Sequence, residues 1–409
     1  MSLMRTLPAI LVAVLLAASP VEASAQSMDV MTVQGLAHDA SGESLAVWVE
    51  AGLLVQDTTG AFTFMCTAGW EDAGAEARWL VQTAPGRPLI AGSQGPYMAL
   101  ESGCTWARIS GAADSANITG MHATEEGGGV VVFAMTRDFG PDEVARTEDG
   151  GFTSASTGGF SQLDTRLTGL VGDGDVLVMS GLGITSGASS MWLSEDAGDS
   201  FVVLELPGYE GGALVGLGGR TLWLMVDTQL VALDLDTGAA LDSIPVAEAV
   251  ESYAVEPTGA LWWSTSGGTV SRAEPASGER ADYDLAGTSI LFSDGAAWIG
   301  LRAQLPGDPL VVRMEPGASN WEVMVSRPDS WLYPESCETL QTQTCAEDAT
   351  RLMPPEPDET DPEPAVASSD DDGCAGGGSG PESYIFLFAW IALASRAAWT
   401  RNPGHPASP

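Results

Sequence analysis

Short apolar runs, each with a bulky residue near its middle, recur along the chain between polar, glycine-rich turns. They are Leu45–Val49, Pro88–Gly92, Val130–Ala134, Val176–Ser180, Thr221–Met225, Leu261–Ser264 and Ala296–Gly300. Runs this short, bounded by turn residues, predict buried strands rather than helices. With Trp48, Ile90, Phe133, Met179, Trp223, Trp262 and Trp298 as anchors, the intervals are 42, 43, 46, 44, 39 and 36 residues. Each interval has room for about four strands and their turns. A period of about 40 residues built from four short strands predicts a β-propeller blade. Seven anchors predict an all-β, seven-bladed propeller over residues 28–326.

A second pattern runs in phase with the first. Ser194-Glu195-Asp196-Ala197-Gly198-Asp199-Ser200-Phe201 fits Ser/Thr-x-Asp-x-Gly-x-Ser/Thr-aromatic throughout. Thr147-Glu148-Asp149-Gly150-Gly151-Phe152-Thr153 fits up to its aromatic position. Ala99 to Trp106 is a worn copy with Glu101 for Asp, and Asp57-Thr58-Thr59-Gly60 a looser one. Later periods keep remnants at Asp236-Thr237-Gly238, Pro275 to Gly278 and Pro316 to Trp321. The pattern resembles the Asp-box, or BNR, repeat of sialidase-like propellers. That resemblance implies a structural role at the hairpin between the third and fourth strands of a blade. Asp149 and Asp196 would accept backbone N–H bonds, Gly151 and Gly198 would take positive φ, Thr147 and Ser194 would cap locally, and Phe201 would pack between sheets. Asp234 to Gly238 begins like a calcium loop but lacks the third acidic residue and the distal Glu, so an ordinary turn is expected there.

Charge narrows the possible partners. There are 55 acidic residues against 16 basic ones, a formal net charge of -39, and every basic residue is Arg. Such a surface repels phosphates, which excludes nucleic acid and disfavours an anionic lipid face.

Both ends read as addresses. Residues 1–25 carry Arg5, an apolar stretch from Leu7 to Ala18 and a small-x-small site at Ala23-Ser24-Ala25, the pattern of a cleaved secretory signal. A retained anchor is the alternative, and the apolar run is short for it. Residues 353–373 interleave Pro354, Pro355, Pro357, Pro362 and Pro364 with carboxylates, ending in Asp370-Asp371-Asp372. Like charges and missing backbone donors predict an extended linker of roughly 60 Å. Residues 374–401 hold Cys374, a glycine run, an apolar segment from Tyr384 to Ala394 expected to form a short transmembrane helix, and Arg396 and Arg401. This order resembles the myxobacterial C-terminal sorting tag (MYXO-CTERM), in which the Cys marks processing and anchoring at the cell surface. The chain has one Cys there and spread rather than clustered Arg, so a plain single-pass anchor is the alternative. Either places the bulk of the chain in the cell envelope, outside the cytoplasm.

With Cys374 assigned to the tag, Cys66, Cys104, Cys337 and Cys345 remain, an even number suited to an oxidising compartment. Three connectivities are open; Cys337–Cys345 and Cys66–Cys104 are favoured, within an extension at 327–352 for the first. Metal binding is disfavoured: no CxxC spacing occurs, and the histidines are His38, His122 and His405. No cofactor is expected.

The face opposite the box turns is where propellers of the resembled kind usually bind. Long loops expected on that rim, Thr136 to Asp142, Gly181 to Ser190 and Arg302 to Pro309, carry Arg137 and Arg302, and blade connections carry Arg78 and Arg166. An arginine cluster suits a carboxylate-bearing sugar. A sialidase-like hydrolase would also need a Tyr–Glu pair and an Asp acid, and the Phe/Tyr-Arg-Ile-Pro motif is absent. The expected function is therefore a non-catalytic, surface-anchored and monomeric propeller that binds an extracellular protein or glycan. A glycoside hydrolase and an envelope assembly scaffold are the alternatives.

Overall fold

In the computed structural model the chain divides into two units, Met1–Pro355 and Glu356–Pro409. The structure describes residues 30–327, apart from 40–41, 43, 51, 57–58, 67–69, 71–76, 85–86, 101–104, 125–129, 138–140, 148, 150–151, 163 and 210. The expected leader, linker and sorting segment, with Gly151, Cys104, Cys337, Cys345 and Cys374, lie outside the described residues, as does the side chain of Cys66. Among the described residues no helix is long and apolar enough to cross a membrane.

Seven antiparallel sheets follow one another along the chain. Blade 1 is β1 (Met31–His38), β2 (Leu45–Val49), β3 (Gly52–Gln56) and β4 (Phe62–Cys66). Blade 2 is β5 (Ala77–Ala84), β6 (Arg87–Gly92), β7 (Gly95–Leu100) and β8 (Thr105–Arg108), followed by the two-residue β9 (Ser110–Gly111). Blade 3 is β10 (Asn117–Ala123), β11 (Val131–Thr136), β12 (Asp142–Thr147) and β13 (Thr153–Gln162), with β9 added at its outer edge. Blade 4 is β14 (Thr165–Asp173), β15 (Val176–Gly183), β16 (Ser189–Ser194) and β17 (Val202–Leu204). Blade 5 is β18 (Ala213–Gly218), β19 (Thr221–Val226), β20 (Gln229–Asp234) and β21 (Ala240–Pro245). Blade 6 is β22 (Val250–Val255), β23 (Leu261–Thr265), β24 (Val270–Glu274) and β25 (Glu279–Tyr283). Blade 7 is β26 (Ser289–Ser293), β27 (Ala296–Gly300), β29 (Pro309–Met314) and β30 (Glu322–Ser326), with β28 (Arg302–Ala303) between its second and third strands. The seven first strands touch in succession, and β26 touches β1, so the blades close into a ring. The protein is a seven-bladed β-propeller.

All seven anchors fall on the second strand of their blades. The reason is where the core lies. Seven apolar clusters fill the structure, each shared by two neighbouring blades, such as Ala46, Leu53 and Met65 with Ile90 and Tyr97 between blades 1 and 2. A blade is thus packed on both faces, and its middle strands lose the in/out alternation of a one-sided sheet. Trp223 and Trp262 are fully buried on such strands.

The ring closes by contact between complete blades, without an exchanged strand. Arg302 and Ala303 pair with Thr32 and Met31, which makes this piece of the expected rim loop a strand, β28, that bridges blade 7 to blade 1. Val33 N donates to Leu301 O at 3.2 Å, and Thr288 Oγ1 donates to Val33 O at 2.7 Å. Gly300 faces Val33 so closely that a Cβ on it would overlap the Val33 methyls.

Candidate functional site

The first strands descend toward one face, which carries the turns between first and second strands. The turns between third and fourth strands belong to the same face by topology: in blade 4, Ala197 N donates to Asp175 O at 2.9 Å, joining one to the other. The opposite face carries the second-to-third-strand hairpins and the blade connections.

On the turn face, Asp196 Oδ1 accepts from Ser194 Oγ at 2.8 Å and from Ser200 N at 2.9 Å, and its Oδ2 accepts from Ser200 Oγ at 2.6 Å. Gly198 N donates to Ser194 Oγ at 2.9 Å, and Gly198 sits at φ 89°. Phe201 packs edge-on to Phe160 of blade 3, which in turn meets Trp192 of blade 4. In blade 3, Asp149 accepts from Thr147 Oγ1, Phe152 N, Thr153 N and Thr153 Oγ1 at 2.7–2.9 Å. Desolvation raises the Asp149 pKa, but these bonds together outweigh it and hold the carboxyl at about 2. Blade 5 builds its turn on Asp234, which accepts from Thr237 N and Oγ1 at 2.8 Å. Asp236 instead meets Arg220. These carboxylates shape turns.

On the opposite face stand all four arginines singled out in the sequence, by their places at the starts of β5 and β14, after β11 and in β28. The structure draws two of them around one carboxylate. Asp142 is 4% exposed; it accepts from Arg137 N at 3.3 Å and Leu167 N at 2.7 Å, with Arg166 close enough to lower its pKa. Burial is the larger influence and leaves that pKa raised. The guanidinium of Arg137 donates to Ala112 O at 2.6 Å and lies 3.7 Å from Glu143. Arg302 faces Glu251 at 3.6 Å across the blade 6 boundary. Arg78 stands on blade 2. On the same face two hairpins hold aliphatic side chains out to solvent: Leu182 and Ile184 in blade 4, and Leu305 in blade 7. Asp164 Oδ1 fixes the first by accepting from Thr185 N and Oγ1. Asp308 fixes the second by accepting from Gln304 N and Leu305 N.

Sequence reasoning missed a cavity of about 850 Å³ in the centre of the ring. Its walls come from the second halves of all seven first strands and from the turns that follow them, so it opens on the turn face. None of the four arginines lines it. Its charged lining consists of Asp39, Asp173 and Asp294, joined by His38 and His122. Thus both histidines of the propeller end up here, each in the last two residues of a first strand. His38 Nδ1 lies 3.1 Å from Gly42 O, and its ring packs on Trp298, centroids 4.4 Å apart. His122 Nε2 lies 3.0 Å from Gly174 O. Burial lowers both imidazole pKa values, against the carbonyls and the nearby Asp39 and Asp294, or Asp173 and Asp175, which raise them. A histidine repeated at one register position was the available signal. The ring closure that gathers seven strands was not visible in any single segment.

No family model matches the chain, and no curated protein matches it. Among solved structures it is similar to Sqt1 of Saccharomyces cerevisiae, at 11% identity and a TM-score of 0.45, covering 73% of this chain and 86% of that one. It is similar to PorZ of Porphyromonas gingivalis, at 12% identity and 0.48, covering 73% of this chain and 39% of that one. The computationally designed Ika8 protein shares 13% identity at 0.45, covering 71% of this chain and 98% of that one. These likenesses concern the fold alone.

Proposed function

We propose that this chain is a non-catalytic binding propeller, held at the cell envelope through its C-terminal segment, that engages a protein or glycan on its hairpin face. The observation that carries the reading is the pair of carboxylate-fixed hairpins holding Leu182, Ile184 and Leu305 in water. Leu182 and Ile184 are 43% and 64% exposed, and aliphatics held out on ordered backbone make low-entropy anchors for a partner. Support comes from the rim guanidiniums of Arg137 and Arg302, which turn toward carboxylates and carbonyls of their own chain. A carboxylate-bearing sugar would have to compete with those contacts. The tyrosines are also engaged in packing: Tyr97 accepts from Arg108, Tyr253 donates to Leu214 O, and Tyr283 stacks on Trp262. The turns built on Asp149 and Asp196 fit an Asp-box reading, in which they serve the scaffold.

The test pairs catalysis with retention. The purified chain is offered a fluorogenic glycoside panel that includes a sialoside, and in parallel an immobilised glycan array and envelope proteins. The reading expects no turnover, and retention that Ile184→Asp and Leu305→Asp abolish without lowering Tm. Turnover lost in Arg137→Ala or Arg302→Ala would overturn it in favour of the hydrolase.

A further inference from the structure

The central cavity presents hydrogen-bond acceptors and negative charge without a matching donor. Among its described lining residues there is no arginine, although Asp39, Asp173 and Asp294 all reach it. Two further acceptors in its wall have no partner. The first is Gln82 Oε1, on a side chain only 1% exposed. Its orientation is fixed by chemistry. Ser44 Oγ donates its single hydrogen to Gln56 O at 2.6 Å, so it can only accept from Gln82, whose Nε2 lies 2.8 Å away. The amide oxygen is therefore the end left over. The second is His38 Nε2. Because Gly42 O can only accept, His38 Nδ1 carries the proton, and a neutral ring leaves Nε2 as a lone pair. Buried acceptors without donors are costly and hold a negative potential in a low-dielectric wall. The remaining wall is largely aliphatic: Leu80, Leu170, Val215 and Ile290 contribute. Four residues of strand give a depth of roughly 13 Å, enough for an amine or guanidinium on a methylene stem.

We propose that the turn-face end of the channel binds a hydrogen-bond-donating organic cation, an alkylammonium or alkylguanidinium, seated between Asp39 and Asp294 with its stem along the aliphatic wall. The inference deepens the reading of the chain as a binding propeller and gives that propeller a second, cationic ligand on the other face. The same chemistry could arrive as a free amine or as a Lys or Arg side chain.

Titration calorimetry of the whole chain decides it, with agmatine and cadaverine as free amines, Gly-Arg-Gly and Gly-Lys-Gly peptides as side-chain donors, and tetramethylammonium as a cation without N–H donors. Agmatine or cadaverine is expected to bind, and tetramethylammonium about tenfold more weakly or not at all, since charge-assisted hydrogen bonds are the stronger part of such contacts. Asp294→Asn, at an exposed position, is expected to weaken binding about five- to tenfold without unfolding the chain, and raised salt to weaken it further. Gln82→Met keeps the volume and removes the orphan oxygen; a smaller loss is expected at a Tm that monitors folding. Peptides binding as well as the free amines would identify a basic partner side chain as the ligand, and free amines alone a small metabolite. No binding at about 10 mM, or affinities that tetramethylammonium matches and Asp294→Asn leaves unchanged, would overturn the proposal. Failure here with the hairpin variants still abolishing retention removes only this site. Turnover on the glycoside panel with amines still bound removes only the reading above.

Discussion

Asp149 and Asp196 show how much one side chain can fix. Each gathers its donors from within five residues, so the turn is encoded locally and could be read from the sequence. Replacing Asp196 with Ala should cost about 1–2 kcal/mol, since it strips hydrogen bonds from a charged acceptor in a partly solvated turn; thermal unfolding measures it. The pH dependence has a definite sign. The folded carboxyl of Asp149, at about 2, lies below its ordinary 3.8. Its contribution is complete above pH 3.8 and disappears as pH falls toward 2, so Asp149→Asn should flatten the acid limb of Tm against pH. His122 behaves alike at higher pH. Its folded pKa is depressed below 6.5 by burial, so its contribution is complete above pH 6.5 and is lost on acidification below it. His122→Gln should remove that part of the slope between pH 6.5 and 5. Neither His122 nor Gln82 could be interpreted in sequence, because their neighbours lie on other strands: Gly174 O is 52 residues from His122, and Ser44 is 38 from Gln82.

Among the elements, blade 6 carries the most buried charge. Glu256, 3% exposed, accepts from Arg272 Nε at 2.6 Å and Nη2 at 3.0 Å, from Trp262 Nε1 at 2.8 Å and from Thr258 Oγ1 at 2.9 Å. Desolvation raises the Glu256 pKa, and these donors together bring it below its ordinary value. Glu256→Ala leaves a guanidinium and an indole N–H without their acceptor, a loss of about 3–5 kcal/mol in denaturant unfolding. Restoring neutrality with Arg272→Met in the same chain should recover much of it. Second strands were legible because two packed faces make them continuously apolar; β23 and β27 are buried at every position. First strands were not. They face the water-filled centre, β22 has no fully buried residue, and bulges break the alternation of β1, β10, β14 and β18.

At the scale of the whole molecule, closure rests on one boundary. Blades 7 and 1 meet through Val33, Leu301, Thr288 and the two-residue β28. Gly300→Ala would force a methyl against Val33 and should destabilise the ring by about 1–3 kcal/mol, with Val33→Ala in the same chain relieving part of it. The arginines of the rim were placed on their face correctly from loop order alone, because order fixes the face. Which of them meet was a matter of angle around the ring, and only Arg137 and Arg166, on neighbouring blades, share an acidic partner.

Keeping every blade whole has a mechanical side. The chain enters at the innermost strand of blade 1 and leaves from the outermost strand of blade 7. Tension on the segment beyond residue 327 therefore reaches β30 first and peels it from β29 pair by pair, with the hub and its central cavity the last to feel the pull.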